Sequence, residues 1–478
     1  MSVTVAGQLF ETNEPDRTRP SEAVPKVTVE ASQDDLTGVA GAALWGPLLD
    51  RTNLVDIGDR ARLRDVGPSG ISGGECWRAL VETMLAGGDF ISDVNLLADP
   101  ATSELRGGRH LPSHDTLWRF CDDADIGTVT RAAGANQVLL ERLVSLAGRA
   151  DPGKLDSMFD QDVVTVDPDA TKVATYGKAK QGSKFSYNFS GTCLHPIVGV
   201  IGETGHVLAV RSRGGNASPR SGLGSFTRHC IDAVPDQLAH GRKTWVRVDS
   251  AGHQTDVIET CMQREAWFSI TATKRTNTVA AIEAVATDPT TDWVPARGHE
   301  GRLGSQVCET TLETCGHRLR LVVRRQPVGA DGDAQLSFDD VDGWRFHAIL
   351  TNIPTDQRDA VAVEAHHRNR GGIPEDAIRR LKNHFGFNHA PLGAFQANAL
   401  WQQTCVAAYN IGLWLQTHTL PDQFARARGK RLRLAFLNVA ARIGHHAGGL
   451  QLKFARAYRW VADFAAAVNR LHALPAYG

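Results

Sequence analysis

Two acidic residues stand at the ends of strand-like runs, where backbone geometry can aim a carboxylate into a crevice. Asp249 closes Trp245-Val246-Arg247-Val248-Asp249, and the other lies within Val166-Asp167-Pro168-Asp169-Ala170-Thr171. Asp167 and Asp169 have the same parity, so strand alternation puts both on one face and does not choose between them. A third group starts at Pro374, whose ring suits the first turn of a helix. Glu375, Arg379 and Lys382 follow at i, i+4 and i+7 and share a helix face. Such spacing commonly means an exposed, ion-paired surface. It also allows a carboxylate that completes a metal site, with cations beside it to hold phosphates. Carboxylates suit hard cations such as Mg²⁺. Two such ions about 4 Å apart activate a nucleophile and stabilise a leaving oxygen.

The elements that must position these groups are legible as pattern. Val163 to Asp167 is β-branched and strand-like, and Lys184 to Ile201 and His206 to Arg211 continue that pattern around the turn Glu203-Thr204-Gly205. A helix near Leu223 to Ala233, a strand Thr244 to Asp249, a helix Thr255 to Glu265 and a strand Ala266 to Thr271 follow, which indicates a mixed α/β domain. From Lys274 to Thr355 the pattern turns mostly β. Val307 to Thr314 and His317 to Arg325 read as a hairpin about Cys315-Gly316, Trp344 to Asn352 as a strand, and the acidic Asp331 to Asp342 as a surface loop. Helix is expected from Pro374 in long pieces to the end. Before the strands, Leu36 to Asp123 is helical in pattern, with Ser113 as an N-cap, and a longer helix spans Gly127 to Gly148.

Composition bounds the function classes. The 478 residues are 42% hydrophobic and 22% charged, enough for large cores and about three domains. The most apolar stretch, Phe395 to Leu420, is interrupted by Gln402, Gln403, Asn410 and Gln416 and reads as a buried helix. Met1 to Pro20 lacks the basic start and apolar run of a signal peptide. The eight cysteines are scattered with no C-x-x-C pair, which points to reduced thiols and a cytoplasmic protein, not to a disulfide framework or a structural zinc site. His366-His367 and His445-His446 lack the i, i+4 spacing of a zinc-binding helix, and no G-x-S-x-G elbow supports Ser218 or Ser221 as a nucleophile. Net charge is −1, yet Val361 to Gly478 carries 15 Lys and Arg against 5 Asp and Glu, and Gln423 to Ala462 has nine basic residues and no acid. That asymmetry fits a polyanion touching one region.

The order of these parts resembles the DDE insertion-sequence transposases with an RNase H-like core, and in particular insertion-sequence family 1380. Asp167-Pro168-Asp169-Ala170-Thr171 is similar to the family's first-aspartate segment, Arg213-Gly214-Gly215-Asn216-Ala217 to its Arg-Pro-Gly-Asn segment, and Arg247 to Gly252 to its second-aspartate strand and turn. His367-Arg368-Asn369-Arg370, Glu375 to Arg379 and Lys382 resemble the third-acid signature, with Asn398, Trp401 and Lys430-Arg431-Leu432-Arg433 downstream. The sequence departs from the broader pattern in having His367 where Tyr stands and four residues between Arg370 and Glu375. The broader Asp-x-Thr pattern favours Asp169 over Asp167.

The resemblance implies an α/β fold: an RNase H-like mixed sheet over 151–273 and 356–420, interrupted by a mostly β insertion at 274–355. An arm at 1–35, an all-helical DNA-binding region at 36–150 and a basic helical region at 421–478 complete it. It implies a cytoplasmic bacterial transposase, nucleoid-associated when bound, that cleaves and joins DNA strands at terminal inverted repeats. Asp169, Asp249 and Glu375 would hold two Mg²⁺ ions, for which Mn²⁺ substitutes. Arg370, Arg379, Lys382, Asn216, Lys430, Arg431 and Arg433 would contact double-stranded DNA, with a homodimer in the synapse. A non-catalytic DNA-binding relative and a metal-dependent nuclease without strand transfer are the competing readings.

Overall fold

The computed structural model describes residues 35–65, 70–159, 162–177, 179–297, 304–328, 343–446 and 449–475, and the backbone of 3–5, 27–29 and 340–341. Most of the acidic segment Asp331 to Asp342, expected as a surface loop, lies outside them.

The amino-terminal third is helical: α1 (Ala42–Arg51), α2 (Leu54–Arg60), α3 (Gly73–Leu85), α4 (His114–Asp122) and α5 (Ile126–Ala150). Their starts are written locally. Ser72, Ser113 and Asp125 each accept a hydrogen bond from the third backbone N–H beyond, in α3, α4 and α5 respectively.

A large mixed sheet follows. Its strands in chain order are β1 (Val163–Ala170), β2 (Ile197–Ile201), β3 (Val207–Arg211), β4 (Lys243–Val248), β5 (Trp267–Thr271), β6 (Val294–Pro295), β7 (Gln306–Thr314), β8 (His317–Pro327), β9 (Asp340–Val341) and β10 (Trp344–Thr351). Across the sheet the order is β6-β7-β8-β10-β5-β4-β1-β2-β3, with β9 pairing β10. β1, β4 and β5 run parallel to one another, and the remaining neighbours are antiparallel. The strands of 274–355 therefore extend the sheet beyond β5 and do not form a separate layer. The β7–β8 hairpin turns at Cys315 and Gly316, with φ of 52° and 79°, and paired positive φ values match the twist of adjoining strands.

Helices α6 (Leu223–Asp232) and α7 (Thr255–Gln263) fall between strands of the sheet, α8 (Thr276–Thr287) precedes β6, and α9 (Ala360–Arg368), α10 (Ile373–His384) and α11 (Phe395–His418) follow β10. Strand parity decides which faces meet. Val164 and Val166 pack into the larger core with Leu223 and Phe226 of α6, while Val163 and Trp245 on the opposite face pack with Val307, Val322 and Ile349 against Ala360 and Val363 of α9. The parity of Val163 and Trp245 is also that of Asp167, Asp169 and Asp249, so the acids lie on the face covered by α9.

Helix α11 is apolar on all sides and buried through most of its length. Its internal amides close an exposed sheet edge. Asn410 accepts from Val207 N at 2.9 Å and donates to Val207 O at 2.9 Å, and Gln403 Nε2 donates to Val210 O at 3.1 Å. Among the described residues no strand lies on that side of β3, so these side chains take the place of a neighbouring backbone. Asn136 of α5 donates to Gln403, and Trp414 Nε1 to Leu143 O, binding the amino-terminal helices to the same rod.

The basic C-terminal region departs from the expected helix. Only α12 (Val461–Ala473) is long, while Ala441–His446 and Gly449–Phe454 form a hairpin that pairs with Leu36–Thr37. The partner strand lies some 400 residues away in sequence, and no local pattern announces it. Among the described residues no helix is long and apolar enough to cross a membrane.

Replacing Asn410 by Leu removes both partners of Val207 in a buried setting. We expect a loss of about 2 kcal/mol or more, measured by urea unfolding, and an unchanged midpoint would refute the edge-closing role.

Candidate active site

The acid-bearing face changes character residue by residue. On β1, Val163 is core, and Thr165 N donates to the carboxylate of Glu203 at 3.0 and 3.1 Å while its hydroxyl meets His366 Nε2 at 3.1 Å. Asp167 is next, 1% exposed, and receives Arg247 Nε at 2.8 Å and Nη2 at 2.7 Å. Arg247 also donates Nη1 to the His366 carbonyl at 2.6 Å. One guanidinium thus joins β1, β4 and the end of α9. The imidazole of His366 stacks on Trp245 at 3.8 Å, and burial pushes its pKa down to about 3. These contacts leave Asp167 structural.

Asp169 and Asp249 lie two residues further along their strands. Val163 to Val166 pair with Lys243 to Val246 at a constant offset, and continuing that offset sets Asp169 beside Asp249. Their side chains are 32% and 46% exposed, open to solutes where Asp167 is sealed. Asp249 caps the turn Ser250–Gly252, its Oδ1 accepting from Ala251 N at 2.9 Å, which leaves Oδ2 toward the crevice. Arg370 reaches both: Nη2 is 3.7 Å from Asp169 Oδ1 and 4.0 Å from Asp249 Oδ2. Burial raises the Asp169 pKa to about 6, with Arg370 opposing the rise and the charges of Asp249 and Glu375 adding to it.

Glu375 enters from the first turn of α10, where Pro374 starts the helix. The carboxylate is exposed, and its Oε1 lies 3.8 Å from the position a Cβ would take at Gly371, so it sits over the loop that carries Arg370. Among the described residues no three His, Cys, Asp or Glu side chains converge tightly enough to hold an ion. A guanidinium stands between Asp169 and Asp249 instead. The oxygen donors nevertheless suit a hard divalent cation, and a positive charge already lies between two of them.

The cations of the sequence reading separate into two groups. Lys382 Nζ donates to Lys172 O at 2.7 Å and Thr171 Oγ1 at 3.2 Å, so it pins α10 to the end of β1 instead of facing open groove. Arg433 is likewise occupied. It donates to the carbonyls of Met84, Leu85 and His384, closing the ends of α3 and α10, and burial lowers its pKa. Both side chains therefore hold elements of the frame together, Lys382 through two of its three N–H groups and Arg433 through Nε and Nη2. Arg379 pairs with Asp376 on an exposed face, and Lys430, Arg431 and Asn216 are exposed. Sequence reasoning missed Arg247 and Glu203. Their signal, a basic residue beside the strand's terminal acid and a carboxylate in the turn, has meaning only once β1 and β4 are paired. His367 bonds to Ser269 and Thr271 at 3.0 Å each, a structural role in place of metal ligation.

The two aspartates of β1 are expected to diverge on substitution. Asp167→Ala leaves Arg247 buried and unpaired, costing about 3–5 kcal/mol. Asp169→Asn removes a carboxylate whose native pKa, about 6, exceeds the ordinary value. Its charged form is therefore disfavoured by folding above pH 6, and the disadvantage fades as pH falls toward 4. The metal-free Asn variant should be more stable than wild type at pH 8 and equal to it near pH 4. Urea titrations at both pH values check this, and equal losses from the two substitutions would overturn the assignment.

A family model described as Transposase DDE domain group 1 matches residues 70–476. A cryo-EM structure of a piggyBac transposase synaptic complex with hairpin DNA is similar over 84% of this chain and 81% of that one, at 10% identity and a TM-score of 0.42. No protein of curated function matches. The family match takes in every strand of the acid-bearing sheet and the helix of Glu375, and on it the chain belongs to the DDE transposases.

Proposed function

We propose that this transposase binds the terminal inverted repeats of its own element and moves that element by metal-dependent cleavage and joining of DNA strands. The observation that carries the reading is the convergence of Asp169 and Asp249, from adjacent parallel strands, on the single cation Arg370, with Glu375 alongside. The strand order β3-β2-β1-β4-β5, with only the last three parallel, supports an RNase H-like core. Motifs from Asp167 to Arg433 support a place near insertion-sequence family 1380.

Asp169, Asp249 and Glu375 would hold two Mg²⁺ ions, with Mn²⁺ as a substitute. Held by these three carboxylates, such ions would supply activation of a water nucleophile and charge stabilisation for the leaving oxygen. The chain's own residues do the rest. Arg247 and Lys382 hold the acids in register. Arg370, released from the carboxylates, would turn to a phosphate, and Arg379 and the exposed Lys430 and Arg431 would add contacts that orient the duplex without reading its sequence. Reading would fall to the helical region 36–150, where Trp118 and Arg119 of α4 are exposed. A homodimer would pair the two element ends.

Two measurements test this. Mg²⁺ or Mn²⁺ should raise the melting temperature of wild type and leave Asp169→Asn unmoved, since a ligand stabilises only the state that binds it. Incubated with a plasmid carrying the gene and its native flanks, wild type should cut at two inverted copies bordering the gene. Asp249→Ala should bind those flanks and leave them whole. Binding without metal-dependent breaks in wild type would favour the non-catalytic DNA-binding relative, and breaks without joined products a nuclease.

A further inference from the structure

Three residues beyond β1 the chain builds a small projecting sheet that the site described above does not use. Its strands, Val173–Ala174, Gly191–Leu194 and Lys184–Ser186, pair in that order. Four aromatic rings stand out from it. Tyr176 is 79% exposed, Phe185 56%, Tyr187 89% and Phe189 38%, and Phe185 meets Tyr187 edge-on at 5.3 Å. Such a density of exposed rings marks a binding surface.

The base of this sheet is fixed. Lys180 Nζ donates to the carbonyls of Ala390 and Leu392, Gln181 N donates to Gly393 O at 2.9 Å, and Gln181 Oε1 accepts from Phe395 N at 3.1 Å. Gly215 N donates to Gly182 O at 3.0 Å, and a Cβ at Gly215 would lie 1.9 Å from Cys193 O, so the loop from Arg213 is clasped against it. Lys382, on the helix of Glu375, holds Thr171 and Lys172 at its root. The rings are thus presented on a mount tied to β1 and α10, two of the three acid-bearing elements.

Charge selects the occupant. The segment from Ala170 to Gly202 has no Asp or Glu, and while Lys180 is held in the base, the exposed Lys184 in Lys184-Phe185-Ser186-Tyr187-Asn188-Phe189 sets a cation beside the rings. Aromatic faces interleaved with basic residues suit unpaired nucleobases, which stack on rings while the cations meet the phosphates. We propose that Phe185 and Tyr187, with Tyr176 and Phe189, form a stacking platform for unpaired bases of the DNA strand at the reacting end. The identification of that strand rests on the DNA-cleavage reading, while the platform's affinity for unpaired bases is testable without it.

The test uses the full chain in EDTA, with a fluorescent 15-nucleotide oligothymidine and a random duplex of equal length as probes. The double variant Phe185→Ala with Tyr187→Ala should lose about tenfold or more in affinity for the single strand and keep its affinity for the duplex and its melting temperature. Tyr187→Trp should retain single-strand binding. Wild type that ignores the oligothymidine, or a double variant that binds it as well as wild type, would overturn the proposal. So would a double variant whose only change is in molecular mass, which would make the rings a contact between copies. If cleavage at the element ends is never seen but single-strand binding still depends on the rings, the platform stands and the transposition reading fails.

Discussion

Arg247 is the constraint on which the rest of the site depends. Its guanidinium gives two hydrogen bonds to Asp167 and one to the carbonyl of His366, and it is almost entirely sealed from solvent. A buried pair of this kind contributes little net stability over an apolar core, but its directional bonds admit few arrangements. Here they set the register of two parallel strands and the end of the helix leading to Arg370. The carboxylates two residues beyond therefore inherit their alignment from a layer that is itself nearly buried.

Above that layer the same alternation is used for the opposite purpose. Asp167 has a partner for each oxygen. Asp169 has the backbone N–H of Ala170 at 3.0 Å and a guanidinium 3.7 Å away, too long for a good hydrogen bond. Burial without full pairing lifts its pKa to about 6, so the folded chain holds an unmet demand for positive charge. Sites that act commonly carry such a deficit. Lys382 and Arg433 are the complement: cations bonded to backbone carbonyls, which steady the frame around the deficit.

Much of this was legible locally. The β-branched run from Val163, the Cys315-Gly316 turn, the Ser113 cap and Pro374 at the head of α10 are codes read within a few residues. What stayed illegible required distant partners. Strand parity sets Asp167 and Asp169 on one face but cannot separate them, because the difference lies in Arg247, eighty residues on. Lys382 and Arg433 look alike as exposed-type cations until the carbonyls they meet are in place. The hairpin Ala441 to Phe454 was hidden for the same reason: its third strand is at Leu36, and the basic tract around it carries helix-like composition. Local chemistry wrote the elements, and long-range pairing decided which charges work and which merely hold.

The amides of α11 have a meaning beyond the sheet edge they close. Phe395–His418 is 24 residues long, ample to span a bilayer core, which takes about 20 apolar residues. It contains no Asp, Glu, Lys or Arg, so its amides, Gln396, Asn398, Gln402, Gln403, Asn410 and Gln416, carry much of the polarity that distinguishes it from such a segment. The same amides that close the edge of β3 thus also hold this helix below the apolar character of a membrane-spanning segment.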